Sequence, residues 1–268
     1  MSTMDDSLGD DSLEIGTMLA DQLDRLFRDR VDVEALVKLE SGEFDDNLWQ
    51  DIESQGIQYA LASGDLGAQL SWQACLPLIQ ALGWHGTPVP LAETLLAKQL
   101  LSAHDFDIPA GSLAICTSTL SLDEAGNISG ETGAVSWLAQ ATALVGVAKN
   151  EERSCLFVLD AAHLNLEPLE TYARLPASQA VIDGVQPKFL VESSMAFSNW
   201  GLQPEMAYIR AVQISGVLNR ILDLSIDYAN TRTQFGRPIG KFQAVQHMIA
   251  GMANQVAVAQ AAVGFGAR

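Results

Sequence analysis

The chain has 268 residues, 48% apolar and 18% charged, with 33 acidic against 15 basic side chains and a net charge of −18. That is more apolar material than one compact core usually holds, so two or three packed domains are expected and a chain disordered throughout is excluded. A surface this acidic repels phosphate backbones and anionic headgroups, which excludes nucleic acid and membrane as expected partners.

No apolar run approaches the roughly 20 residues that span a bilayer. Cys75, Cys116 and Cys155 are far apart and the four histidines are scattered, so neither a disulfide framework nor a metal site is expected. This cysteine usage and the acidic start (Asp5, Asp6, Asp10, Asp11), the opposite of a targeting peptide, point to the cytoplasm.

Residues 1–11 read as a disordered acidic tail. From Ser12 the apolar positions Leu19, Leu23, Leu26 and Phe27 step at helical spacing. Asp45 or Asp46 caps a helix that carries Leu48, Trp49 and Ile52 and stops near Gly56. Ser71 opens another through Cys75, Ile79 and Leu82, with its end expected at Gly83, and Leu91–Leu101 reads as one more.

After Pro109 the pattern becomes short apolar or β-branched runs: Leu113–Cys116, Ala134–Trp137, Leu144–Val147, Leu156–Leu159, Ala180–Ile182 and Phe189–Val191. Helical spacing returns at Pro204 and continues through Val217, Ile221, Leu224 and Tyr228 to about Thr233, where Gly236 and Pro238 break it. A second long helix then carries Phe242, Val245, Ile249, Met252, Val256 and Val263.

The expected class is therefore α+β, mainly α. A helical domain spans 12–108, a small antiparallel β domain 109–200, and the first two long helices of an incomplete helical bundle 201–268. Two long amphipathic helices need cover from further helices, of another chain or of a longer copy of this one.

Residues 228–246 read Tyr-Ala-Asn-Thr-Arg-Thr-Gln-Phe-Gly-Arg-Pro-Ile-Gly-Lys-Phe-Gln-Ala-Val-Gln. Arg232, in the last turn of a helix, offers a planar and permanently charged donor fork suited to a diphosphate. Phe235 adds a flat apolar surface, Gly236 permits a sharp turn, and Gln243 opens a helix whose free N–H groups favour anions.

This stretch resembles the acyl-CoA dehydrogenase pattern of Tyr, then Arg-x-x-Phe-Gly, then Phe-Gln-x-x-Gln. Leu48–Gly56, Gly64-Asp-Leu-Gly67, Ala81–Gly83 and Pro88–Pro90 resemble the family's N-terminal helical domain. Ile128–Gly130, Ala141–Val147 and Leu175–Val185 resemble its β domain, so the likeness covers residues 15–268. The resemblance implies FAD as cofactor, with Arg232, Thr233, Gln234, Phe235, Phe242 and Gln243 as contacts to the FAD of a neighbouring subunit.

Three departures from the family pattern matter for chemistry. The acidic, Gly-rich loop near the flavin is replaced by Cys116–Gly126. The family's Trp-Ile-Thr-Asn stretch reads Ala134-Val-Ser-Trp137, which leaves Ser136 as a flavin-contact candidate without the shielding tryptophan at Ala134. At the helix position where some members carry the catalytic glutamate the chain has Met206, with Glu205 one residue away and so about 100° around the helix. Glu205 is the catalytic candidate here; its plainer reading is a first-turn glutamate facing the helix dipole.

The implied activity is α,β-dehydrogenation of an acyl-CoA thioester, with electrons passed to an electron-transfer flavoprotein, in a homo- or hetero-oligomer of related subunits. The altered Cys116–Gly126 region resembles the short, divergent subunit of heteromeric bacterial steroid-side-chain enzymes. The alternative is a non-catalytic partner that completes the flavin site of a related chain.

Overall fold

The computed structural model describes residues 5–65, 67–104, 106–192 and 201–267, with backbone alone over 5–10. Leu66 of the Gly64–Gly67 stretch and residues 193–200, at the expected 200/201 boundary, lie outside the described residues. In chain order the helices are α1 (Asp5–Arg30), α2 (Val33–Glu40), α3 (Asp46–Ser54), α4 (Trp72–His85), α5 (Leu91–Ser102), α6 (Gln203–Thr231) and α7 (Gln243–Gly266). The strands are β1 (Leu113–Leu122), β2 (Ile128–Glu131), β3 (Val135–Ser136), β4 (Ala143–Lys149), β5 (Ser154–Asp160), β6 (Leu166–Leu169), β7 (Ala177–Val185), β8 (Phe189–Glu192), β9 (Thr233–Gln234) and β10 (Arg237–Pro238).

Capping places the early helices where the sequence does. Leu48 N donates to Asp45 Oδ1 at 2.9 Å to start α3, and Ala74 N donates to Ser71 Oγ at 3.1 Å to start α4. Three expectations change. α1 begins at Asp5, inside the stretch read as a disordered tail, because polarity alone does not oppose a helix. α4 runs on past Gly83 and closes at Gly86, which has φ +65°. And α7, whose glutamines and an asparagine interrupt any apolar run, has 24 residues and a stretch of mean hydropathy 1.3, long and apolar enough by length and composition to cross a bilayer.

The chain divides into two compact units, Met1–Asp29 with Ser71–Thr87 and Tyr208–Arg268, and Arg30–Leu70 with Pro88–Ala207. In the first, α1, α4 and α6 approach through glycines. A Cβ built at Gly16 would lie 2.0 Å from the Ala74 carbonyl oxygen, one at Gly83 1.9 Å from that of Gln213, and one at Gly216 2.0 Å from that of Gln80. Gly83 is therefore a packing glycine and not the end of its helix. Tyr208 OH donates to Val263 O at 2.8 Å and ties α7 to α6.

The same unit holds a buried histidine. His85 Nε2 lies 2.8 Å from Asp24 Oδ1, with the ring edge-on to Phe27 at 5.5 Å and to Trp84 at 4.5 Å. Burial lowers its pKa from the usual 6.5; Asp24 opposes this, and Arg28 and Arg220 add to it. A base depressed in the folded state contributes stability above its unfolded pKa and loses it as pH falls through the folded one. Thermal unfolding is therefore expected to depend more steeply on pH between about 7 and 5 in the wild type than in His85→Gln. Superimposable profiles would contradict this.

In the second unit the sheet runs β3-β7-β2-β1-β4-β5-β8, with β6 on β7. All pairs are antiparallel except β1 with β4, so the expected antiparallel domain contains one parallel pair. The connection from β1 to β4 passes through β2 and β3, and a crossover of that length allows parallel pairing. Ala114, Cys116, Leu144 and Phe157 are fully buried in the core of this sheet. α5 is bonded to β1, where Leu113 N donates to Thr94 Oγ1 at 3.0 Å.

The apolar stripe of α6 predicted from sequence is not covered. Val217, Ile221, Leu224 and Tyr228 are exposed, as are Met248 and Val258 of α7. Between the two helices lies a cavity of about 430 Å³ lined by Ile221, Leu224, Tyr228, Ile239, Met248 and Met252.

Candidate functional site

The stretch 228–246 forms a compact corner between α6 and α7. Arg232 N donates to Tyr228 O at 2.9 Å, which continues the last turn of α6, and Ile239 N returns to Arg232 O at 2.8 Å. Between them β9 and β10 form a hairpin with Arg237 opposite Gln234 and Pro238 opposite Thr233. The two turn residues, Phe235 at φ +51° and Gly236 at φ +79°, have the paired positive φ of a type I′ turn. Gly236 adopts that conformation freely; Phe235 does so at a cost, as any residue with a Cβ does.

The turn thrusts Phe235 outward, 92% exposed, with its ring edge-on to Phe242 at 6.2 Å. Arg237 lies with its guanidinium carbon 4.3 Å over the Phe242 ring. Gln246 Nε2 donates to Gly240 O at 2.9 Å and holds the short link against the start of α7. Phe242 precedes α7 with no side-chain cap, so the first-turn N–H groups at Gln243 have no side-chain acceptor.

Arg232, Thr233, Gln234, Phe235 and Gln243 are all exposed and Phe242 is half-buried. The structure thus brings the six candidate contacts of this stretch into one corner. It adds Arg237 and Lys241, and residues 228–246 carry no carboxylate on a chain of net charge −18. Among the described residues none of Arg232, Arg237 and Lys241 has an ion-pair partner. Such a corner offers planar donor forks and an exposed ring to an anionic aromatic ligand.

The other candidates lie in the second unit. Ser136 is half-buried on β3, opposite Ala177 of β7. Trp137, at φ +65°, is 2% exposed, donates its backbone N–H to Pro176 O at 2.7 Å and meets Phe44 edge-on at 6.2 Å. Its ring belongs to the core, so it does not replace the shielding tryptophan missing at Ala134.

The altered Cys116–Gly126 region is mostly strand. β1 shifts register against β4 between Ile115 and Thr119, continues to Leu122, and turns where Asn127 N donates to Asp123 Oδ1 at 2.7 Å. Thr119 Oγ1 is buried without a hydrogen-bond partner among the described residues, and a Cβ at Gly201 would stand 2.9 Å from it. Spacing alone had no means of finding Thr119, which lies in a run of hydroxyl residues.

Glu205 is in the first turn of α6 and half-buried, with Oε2 shut away from solvent and without a hydrogen-bond partner among the described residues. Met206 beside it is buried.

Residues 200–268 match the family model described as acyl-CoA dehydrogenase, C-terminal domain. A stretch of 63 residues is 44% identical to acyl-CoA dehydrogenase IpdE2 of Mycolicibacterium smegmatis, 24% of this chain and 20% of that protein. The chain thus spans only about a fifth of the first curated relatives it matches. Over the whole fold it superposes with a TM-score of 0.78 on a Tcur3481-Tcur3483 steroid ACAD variant, at 25% identity, covering 95% of this chain and 77% of that one. The ChsE4-ChsE5 complex from Mycobacterium tuberculosis has the same fold, with a TM-score of 0.76 at 21% identity over 94% of this chain and 76% of that one.

Proposed function

Because the chain belongs to the acyl-CoA dehydrogenase family, we propose that it is a subunit of an FAD-dependent enzyme that forms an α,β-unsaturated acyl-CoA. The observation that carries this reading is the acid-free corner 228–246, which groups Arg232, Gln234, Phe235 and Gln243 on an otherwise strongly acidic chain. In a homo- or hetero-oligomer that corner holds the diphosphate of a flavin seated on a neighbouring subunit, and a carrier flavoprotein takes the electrons. FAD, when bound, supplies the acceptor for the hydride leaving the β carbon.

On the chain's own side, Thr119 Oγ1 is a buried hydroxyl without a partner among the described residues, which fits a polar ligand laid against β1. Ser136 on β3 is a further flavin contact in this reading. Glu205 is the acid we assign to the α-proton of the thioester, on the strength of its buried, unpaired Oε2. Under anaerobic conditions acyl-CoA is expected to bleach the flavin of the purified oligomer. Glu205→Gln should keep the flavin but slow the bleaching by about 100-fold or more, the usual scale of a lost general base. Unchanged bleaching would remove Glu205 from the mechanism.

A second reading is favoured by the altered Cys116–Gly126 region and by the burial of Trp137 away from any ring-shielding role. In it the chain is a non-catalytic partner that completes a related chain's flavin site. A flavin-retaining homo-oligomer formed by this chain alone would rule that reading out.

A further inference from the structure

The hairpin that follows α6 has two faces, and its register decides which side chains share them. Residues directly opposite in an antiparallel pair lie on one face, as do residues two apart on a strand. Arg237 is opposite Gln234, and Arg232, two residues before Gln234, continues the same ladder through the Ile239 N to Arg232 O bond. Arg232, Gln234 and Arg237 therefore line one face of the ribbon. Sequence spacing singles out only the first guanidinium of this set.

Arg237 is also preset. Its guanidinium carbon lies 4.3 Å from the centroid of the Phe242 ring, and Phe242 in turn meets Phe235 edge-on at 6.2 Å. Stacking uses the face of a guanidinium and leaves its in-plane N–H groups free to bond an anion in a forked geometry. Among the described residues Arg237 has no carboxylate partner to occupy those donors. A cation kept in one orientation and left without a counter-ion, beside a second one on the same face, suits a doubly charged ligand with two adjacent phosphates.

We propose that Arg237 is a second diphosphate ligand, forming with Arg232 and Gln234 a two-guanidinium clamp for a dinucleotide cofactor. The inference rests on the reading of 228–246 as a flavin corner and assigns a residue which that reading does not require.

The test measures FAD affinity of the assembled oligomer, stripped and reloaded, for the wild type, Arg232→Ala, Arg237→Ala and Arg237→Lys at several salt concentrations. Arg237→Ala is expected to weaken FAD about tenfold or more and to flatten the salt dependence, since one cation contact is lost. Arg237→Lys keeps the charge but not the fork or the stack, and should fall between. Arg237 is on the surface, so unchanged size-exclusion behaviour checks that the variants fold. If Arg232→Ala releases FAD while both Arg237 variants keep wild-type affinity and salt slope, the clamp is overturned and the corner assignment stands. If all variants behave as wild type, or the oligomer binds no FAD, the assignment beneath it fails as well.

Discussion

Replacing Arg232 by alanine is expected to weaken flavin retention by about 1.5–3 kcal/mol, roughly ten- to more than a hundredfold. The magnitude follows from the chemistry of the contact. A guanidinium bonded to a phosphate is a charge-assisted pair, and such pairs are roughly twice as strong as neutral ones. Arg232 is exposed and without an ion-pair partner among the described residues, so its removal frees no buried carboxylate and opens no cavity. A change in flavin content would therefore report on the cofactor and not on the fold. The hairpin bond from Ile239 N goes to the Arg232 carbonyl, which alanine keeps. Equilibrium dialysis of the oligomer against FAD-free buffer measures the effect, and equal flavin content in both proteins would remove Arg232 from the site.

A large effect on stability is expected at Gly216, one of the glycines through which the helices of the first unit approach. A Cβ there would stand 2.0 Å from the Gln80 carbonyl oxygen and 3.0 Å from Trp84 N, both backbone atoms of α4 that cannot rotate aside. Gly216→Ala should therefore force α4 and α6 apart and cost about 3 kcal/mol or more, at or beyond the upper end of ordinary overpacking. Separating the two would also strain the bond from Gln80 Nε2 to Ser215 Oγ, now 3.2 Å. The control is Gly251 in α7, where a Cβ would meet nothing within 4 Å. Gly251→Ala should stabilise by up to about 1 kcal/mol through helix propensity alone. Chemical denaturation of both variants decides it, and a Gly216→Ala protein as stable as wild type would refute the close crossing.

The elements that sequence reads well are those specified by neighbours along the chain. Asp45 and Ser71 bond to N–H groups three residues on, so the starts of α3 and α4 are local facts. What needs a distant partner is missed. Gly83 resembles a helix end, and only the Gln213 backbone packed against it shows why the helix continues. The parallel pairing of β1 with β4 depends on the path of β2 and β3, which no alternation pattern encodes.

The site divides along the same line. The Arg-x-x-Phe-Gly spacing marks Arg232 and Phe235 because the family pattern contains them. Arg237 joins them only through hairpin register, and Trp137 turns out to serve the core because Phe44, more than 90 positions earlier, packs against it. Thr119 and Glu205 stand out because an atom of each is buried without a partner among the described residues, a property that exists only once the chain is folded.

The central claim is that 228–246 binds a flavin dinucleotide within an acyl-CoA dehydrogenase assembly. The most direct measurement is the visible flavin absorbance of the purified protein, expressed alone and together with a related acyl-CoA dehydrogenase chain. A yellow oligomer in at least one of the two, bleached of flavin by Arg232→Ala in this chain, is the predicted result. A folded protein that is colourless in both, and gains no colour on incubation with FAD, would contradict it.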